Sequence, residues 1–394
     1  MTGVWGLAAL WLGLALIASL LSIWLRISTA LSEIVVGTIA QLIIGAAVGA
    51  AVLGTDESWV KFLSGLGAIV LTFLAGAELD PAVFRLKWKE ALSVGLASFF
   101  FPFLGCAAAA HYLLGWELMP SWLAGVAMST TSVAVVYAVM LEFGFNTTEY
   151  GKTILAACFV TDLGTVVALG LIFAPFTIKT LIFLGTGVVA FIVLPWITPR
   201  FFRLYGNRPS ELEAKFLLLC LLGMGALAAW ADSEAVLPAY LIGMVLAGTV
   251  GKDHALIRRL RTLTFGLLTP FYFIRAGSYV SIPDLVAAPI AFIIFLVVKV
   301  GTKIVGVYPV TKLFGSPNKE AMYTTLLMST GLTFGTISSL FGLSHGIIDQ
   351  AQYSSLVATV IASAVVPTVI ANAFYLPRHL LPKRESAAPD REAA

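Results

Sequence analysis

Ala127-Met128-Ser129-Thr130-Thr131-Ser132 and Leu327-Met328-Ser329-Thr330-Gly331-Leu332 are two versions of one short pattern, each set in the middle of a long apolar run. The runs around them repeat along the whole chain. Of 394 residues, 59% are hydrophobic and 11% are charged, and the mean hydropathy is +0.96. A soluble domain carries about 25% charged residues, so this chain has too little polar surface to face water. A bilayer is its natural solvent. A span needs about 20 apolar residues, and its backbone must be satisfied internally, by helices or a closed barrel. Barrel strands are short alternating runs of about ten residues. Runs such as Trp5–Leu25 are unbroken, which predicts helices.

The apolar segments number about thirteen: 4–25, 34–54, 60–79, 91–114, 121–141, 153–174, 178–197, 214–230, 235–250, 263–280, 284–309, 321–341 and 353–376. The two Met-Ser-Thr patterns fall in the fifth and the twelfth. Seven spans separate them, an odd number, so the two segments cross in opposite directions. That is the layout of inverted repeats, whose site lies at the midplane between interrupted helices. Lys and Arg are biased to one side of this topology. Only Lys61 and Lys179 fall in loops on the other side, and Arg275, Lys299 and Lys303 fall within spans. The bias places the N-terminus outside and the C-terminus in the cytoplasm. Cys106, Cys158 and Cys220 all lie in apolar runs, and their odd number argues against a disulfide framework. The tail end, Glu385–Ala394, is expected to be disordered. The net charge of +3 is too small to point to nucleic acid.

Few charges sit inside spans. Asp162 stands mid-span in Phe159-Val160-Thr161-Asp162-Leu163-Gly164. A carboxylate there costs about 2.5–3.5 kcal/mol on insertion scales, so it is expected to face a cavity, a partner or an ion path. Lys299 and Lys303 share one face of the eleventh segment, and at least one needs a carboxylate or an aqueous route. Arg275, between Pro270 and Gly277, suggests an interrupted tenth helix, with Glu78 as its structural salt partner. Burial and a positive neighbour act on a carboxyl in opposite senses. Such a group holds a proton or a small cation, but not both. Ser129, Thr130, Thr131 and Thr161 are candidate oxygen ligands for that cation.

Gly76-Ala77-Glu78-Leu79-Asp80-Pro81, Ser129-Thr130-Thr131-Ser132, Thr161-Asp162, and Lys303-Ile304-Val305-Gly306 with Lys312-Leu313-Phe314-Gly315 follow one another in this order. Together they resemble bacterial monovalent cation:proton antiporters of the Na+/H+ exchanger and Kef-type group. The resemblance covers nearly the whole chain and matches Lys303, rather than Lys299, to the group's mid-membrane lysine. It implies an all-α polytopic membrane protein with inverted repeats and two crossing broken helices, 5 and 12. It further implies a homodimer in the bacterial inner membrane. Residues 1–90 and 201–283 would form a dimer domain of helices 1–3 and 8–10. Residues 91–176 and 284–377 would form a mobile core of helices 4–6 and 11–13. Helix 7 (177–200) would link them, and 378–394 would be a cytoplasmic tail. Gly45-Ala46-Ala47-Val48-Gly49 is a G-x-x-x-G element suited to close helix packing.

The activity so implied is exchange of H+ for Na+ or K+ by alternating access, with no cofactor. Thr161 replaces the first acid of an Asp-Asp pair, which leaves one carboxylate and implies electroneutral exchange. The nucleotide-binding domain of Kef-type proteins has no counterpart in this sequence. Two other classes stay open at this stage, a cation channel and a Kef-like potassium efflux system without its regulatory domain. A channel would show rings of acids or a filter loop, and neither is visible. An intramembrane enzyme has no His cluster to work with, since His111, His254, His345 and His379 fall at span ends or in loops.

Overall fold

The computed structural model describes residues 2–25, 27–47, 53–77, 81–145, 148–173, 177–206, 208–231, 235–287 and 289–381. Each of the thirteen apolar segments contains helix within its described residues, and the described residues contain no strand. Among the described residues nine helices are long and apolar enough to cross a membrane, and Thr29–Ile44 and Leu118–Ser129 are shorter apolar ones. The first three helices are α1 (Thr2–Leu25), α2 (Thr29–Ala47) and α3 (Ser58–Ala77). α4 (Pro81–Ala108) bends at Lys87 and continues in a wider turn through Leu113.

The fifth segment is split into α5 (Leu118–Ser129) and α6 (Val133–Glu142). Then come α7 (Glu149–Ile172), α8 (Ile178–Tyr205), α9 (Leu212–Trp230) and α10 (Val236–Leu246). The tenth segment is one helical path made of α11 (His254–Leu263), a wider turn and α12 (Thr269–Ser278). α13 (Ile282–Ala287) leads into α14 (Pro289–Leu313). The twelfth segment is split like the fifth, into α15 (Asn318–Met328) and α16 (Thr333–Ser344), and α17 (Gln350–Ile370) closes the set.

Local chemistry sets several starts. Thr148 caps α7 by accepting from the Gly151 amide, and Glu149 follows in the first turn. Asp349 and Gln352 form a reciprocal capping box at α17, which satisfies amides that have no partner within the helix. No cysteine among the described residues is paired.

The helices pack in two groups. In one, α4 lies against α5, α7 and α14, α14 against α15 and α17, and α16 against α5 and α17. In the other, α3 lies against α10 and α12, α2 against α1 and α12, and α8 against α9 and α10. The two groups touch through α7 and α10, where the Tyr240 hydroxyl donates to Phe159 O at 3.0 Å. They touch again where the Tyr353 hydroxyl of α17 donates to Ala276 O of α12 at 2.7 Å.

Lipid tails are as apolar as leucine, so close backbone approach and polar contacts must hold helices together. At α2 and α12 a Cβ on Gly37 would strike Ile274 O, and one on Gly277 would strike Ile34 O. Thr38 Oγ1 donates to Gly277 O across the same crossing, at 3.0 Å. The Gly45–Gly49 element passes out of the described residues at Val48, and Glu385–Ala394 lie outside them.

Gly277→Val forces these backbones apart. Overpacking of this kind costs about 1–3 kcal/mol, so the purified variant should unfold in detergent at a lower temperature than the parent.

Candidate functional site

The site is built where the two split helices cross. Ser129 and Thr130 turn their hydroxyls back onto the chain, to Val126 O at 2.8 Å and Ala127 O at 3.2 Å. Thr330 does the same to Leu327 O at 2.7 Å, and Ser329 to Thr325 O at 2.8 Å. Side chains that supply their own backbone bonds make a helix easy to interrupt. Thr130 is extended (φ −61, ψ 151), which ends α5. The two breaks then bond to each other. The Ser132 amide donates to Thr330 O at 3.1 Å, and Thr131 Oγ1 donates to Met328 O at 2.8 Å. Two helix C-ends and two N-ends thus meet inside the protein, each carrying a partial charge.

Lys303 fills one side of this crossing. Its ammonium, wholly buried, donates to Ser98 Oγ at 2.6 Å, Ser129 O at 3.0 Å and Thr131 Oγ1 at 3.0 Å. Thr130 O lies farther, at 3.5 Å. An ammonium has three donors, so Lys303 is fully engaged, and it satisfies carbonyls at the open C-end of α5.

Asp162 is 1% exposed, and its Oδ1 has no hydrogen-bond partner among the described residues. It lies within the electrostatic reach of Lys303, but the two form no ion pair. Thr165, one turn along α7, shares a hydrogen bond with Ser129 Oγ at 3.2 Å. It is Thr165, therefore, that ties the Asp162 helix to the break. Thr161 turns away, donating to Gly95 O at 3.2 Å and to Ala157 O at 3.1 Å. Ser98 and Thr165 were not among the residues singled out from sequence. The i,i+3 spacing from Asp162 is the signal that points to Thr165. Ser98 carries no comparable signal, because its role is set by Lys303 on a helix far away in the chain.

Lys299 is buried without a hydrogen-bond partner. Its Nζ lies against Gly331, where a side chain would collide with it and crowd Thr130 Oγ1. The two lysines are therefore placed differently, Lys303 bonded at the end of α5 and Lys299 beside Gly331.

The expected Glu78–Arg275 pair falls partly on a residue that is not described. Glu78 lies outside the described residues, just past the end of α3. Arg275 sits at the opposite end of α3, donating to Thr55 O at 2.9 Å and to the Tyr279 hydroxyl at 3.0 Å. Tyr279 in turn donates to Asp56 Oδ1 at 3.0 Å. The ammonium of Lys61, 2.9 Å from Asp56, holds that carboxyl below the usual carboxylate range.

A polar cavity of about 260 Å³ opens between α4, α7, α14 and α15. Glu90, Tyr150, Thr153, Glu320 and Thr324 line it, and it reaches Ala157. Ala157 is five residues before Asp162, about 7.5 Å along the helix. Among the described residues no group of three or more His, Cys, Asp or Glu is placed to hold a metal ion. A single carboxylate with hydroxyl and carbonyl oxygens nearby is instead a site for one proton or one weakly held cation.

Comparison with known proteins agrees with this architecture. The sodium/hydrogen exchanger, transmembrane family matches residues 10–374. The chain is 26% identical over 353 residues to the Na(+)/H(+) antiporter of Enterococcus hirae, covering 85% of this chain and 91% of that one. It is 25% identical over 380 residues to cation/H(+) antiporter 17 of Arabidopsis thaliana, covering 88% of this chain and 46% of that one. The chain thus spans about half the length of this plant relative. In three dimensions it is similar to the sodium proton antiporter MjNhaP1 from Methanocaldococcus jannaschii. The TM-score is 0.71 at 15% identity, over 94% of this chain and 96% of that one.

Lys303→Met removes the donor that satisfies the α5 carbonyls. An unsatisfied buried acceptor costs about 1–3 kcal/mol, so this variant should show a lowered melting temperature in detergent even without any transported ion.

Proposed function

Because the chain belongs to the sodium/hydrogen exchanger family, we propose that it exchanges protons for a monovalent cation, Na+ or K+, one for one across the membrane. The observation that carries this reading is Asp162, a buried carboxylate with a free oxygen beside two crossing helix breaks. Ser129 and Thr130 spend their protons on backbone carbonyls, which leaves oxygen lone pairs for a cation. Thr165 brings a third hydroxyl to the same place. Thr161 is engaged with α4 and supports the site from behind. Thr131 bonds to Lys303 and Met328 O and holds the break together.

The exchange follows from competition. Asp162 as an anion is costly in a dry interior, so it takes a proton or a cation before the site closes. The ammonium of Lys303 adds positive charge nearby, which limits the site to one further positive charge. One proton inward for one cation outward moves no net charge. The membrane potential then does no work on the cycle, whereas a net charge moved would feel about 2.3 kcal/mol per 100 mV.

Alternating access in this reading moves one helix group against the other. The core is residues 91–176 with 284–377, which bring together the crossing, Asp162 and both lysines. The dimer domain is residues 1–90 with 201–283. Helix α8, whose span is only 11% buried, links them within 177–200. The packing of the two groups, joined by few hydrogen bonds, supports that division. The Lys and Arg bias supports an N-terminus outside and a C-terminus in the cytoplasm. The location is then a bacterial plasma membrane, and the assembly a homodimer.

Two experiments test the function. In proteoliposomes with an imposed pH gradient, Na+ or K+ should dissipate the gradient for the parent and not for Asp162→Asn, which keeps the shape but cannot release a proton. Exchange by a folded Asp162→Asn variant would remove the assignment. On a solid-supported membrane under a cation gradient, the parent should give no sustained transport current. A current that disappears in Asp162→Asn would replace one-for-one exchange with a charge-moving cycle.

A further inference from the structure

A second carboxylate is buried in this molecule. Glu33, in the first turns of α2, is 1% exposed, although it stands just before the apolar segment and reads as a helix-end residue in the sequence. It forms no ion pair or hydrogen bond with any described residue. The neighbouring Ser32 hydroxyl is also buried and without a partner.

The groups that surround Glu33 offer no countercharge. α1 contains no ionisable side chain. α12 contributes Tyr272 and Arg275, and Arg275 is held by Thr55 and Tyr279. From α17, the Tyr353 hydroxyl is committed to Ala276 O. A bare carboxylate among such neighbours is strongly disfavoured, and an ionisable group inside a membrane protein marks function by default.

Its position suggests what that function is. Leu31 and Ile34, on either side of it, belong to the apolar cluster that joins the two helix groups, together with Phe99 of α4, Phe334 of α16 and Leu356 of α17. The backbone contacts of Ile34 with Gly277 and of Gly37 with Ile274 lie within the next turn. These contacts join α2 to α12 within one helix group, so charge appearing at Glu33 appears beside a tightly packed crossing that borders the shared cluster.

We propose that Glu33 is a second proton-carrying carboxyl, separate from Asp162, and that losing its proton loosens the packing of α2 on α12 and on the apolar cluster that both helix groups share. As the neutral acid it is compatible with the packing seen here. As the anion it requires water or a cation, which this packing excludes, so ionisation favours an arrangement in which α2 has shifted. The sign follows: the closed arrangement persists at low pH, and movement is released as pH rises. The effect on transport rests on the exchange reading above, while the protonation itself does not.

The test uses the purified full chain. In Asp162→Asn, infrared difference spectroscopy should show a protonated-carboxyl C=O band at acid pH that shifts when glutamate is 13C-labelled. The band should vanish on going to alkaline pH and be missing from Asp162→Asn/Glu33→Gln. A band that survives at every pH, or that is unchanged in the double variant, overturns the proposal, as does its absence from Asp162→Asn. In proteoliposomes, Glu33→Gln should move the pH of half-maximal exchange by about one unit or more, tenfold in proton affinity. Glu33→Asp, which restores an acid, should return the profile towards the parent. A Glu33→Gln profile that overlies the parent's also overturns the proposal. If the parent shows no exchange at all, the function assigned above fails, and the infrared band still decides Glu33.

Discussion

The ammonium of Lys303 in the crossing of two interrupted helices is the interaction on which the rest of the molecule depends. Interrupting a helix in a bilayer exposes backbone carbonyls and amides that lipid cannot satisfy. Two interruptions side by side bring like helix ends close together. The structure meets the first problem with hydroxyls that bond back one turn, and the second with a buried cation on carbonyls of the α5 C-end. Ser98 of α4 and Thr131 complete the ammonium's bonding. α4, α5 and α14 are thereby fixed to one another at the midpoint of the bundle, and the remaining helices of that group pack around them.

This arrangement also explains the chemistry left open at Asp162. Had Lys303 paired directly with Asp162, the carboxylate would be neutralised internally and a transported ion would have to break a buried salt bridge. Losing one partner of such a pair is strongly unfavourable, by about 3–5 kcal/mol. With its donors committed to Ser98, Thr131 and carbonyl oxygen, Lys303 acts on Asp162 only at a distance. The carboxyl keeps an unpartnered oxygen, which is what the exchange proposed above requires. A structural role for the lysine is thus what keeps the acid available.

Much of this was legible in the sequence, for identifiable reasons. Long apolar runs are set by bilayer thickness, so all thirteen segments could be read and each contains helix within its described residues. The Met-Ser-Thr patterns are local, so both breaks could be placed near Ser129 and Ser329. What depends on distant residues could not be read. Arg275 was assigned to Glu78, which lies outside the described residues, and its described partners are Thr55 O and the Tyr279 hydroxyl. Thr161 looked like a ligand from its place beside Asp162, but a helix turns neighbouring side chains by about 100°, and its hydroxyl faces α4. Glu33 escaped notice because hydropathy alone put it one residue outside a span. Its burial comes from α1 and α12 packing over it, which no window on α2 can reveal.

The two repeats are alike in backbone and unlike in charge, and the difference bears on how one site can serve both faces. An offset of seven spans pairs α7 with α17 and α14 with α4. α7 carries Asp162, whereas α17 offers only hydroxyls and no acid. α14 carries Lys299 and Lys303 within its span, whereas the corresponding positions on α4 are Phe99 and Phe103. At the breaks, Thr131 bonds to the lysine, while its counterpart Gly331 has no side chain and leaves that space to Lys299. Each repeat therefore supplies one sign of charge to a site that lies between them. Two symmetric sites would each need a buried acid and a buried base, with the desolvation cost of both. One asymmetric site needs a single acid, and under the exchange proposed above the pseudo-symmetry of the helices around it would give that acid similar surroundings towards either face.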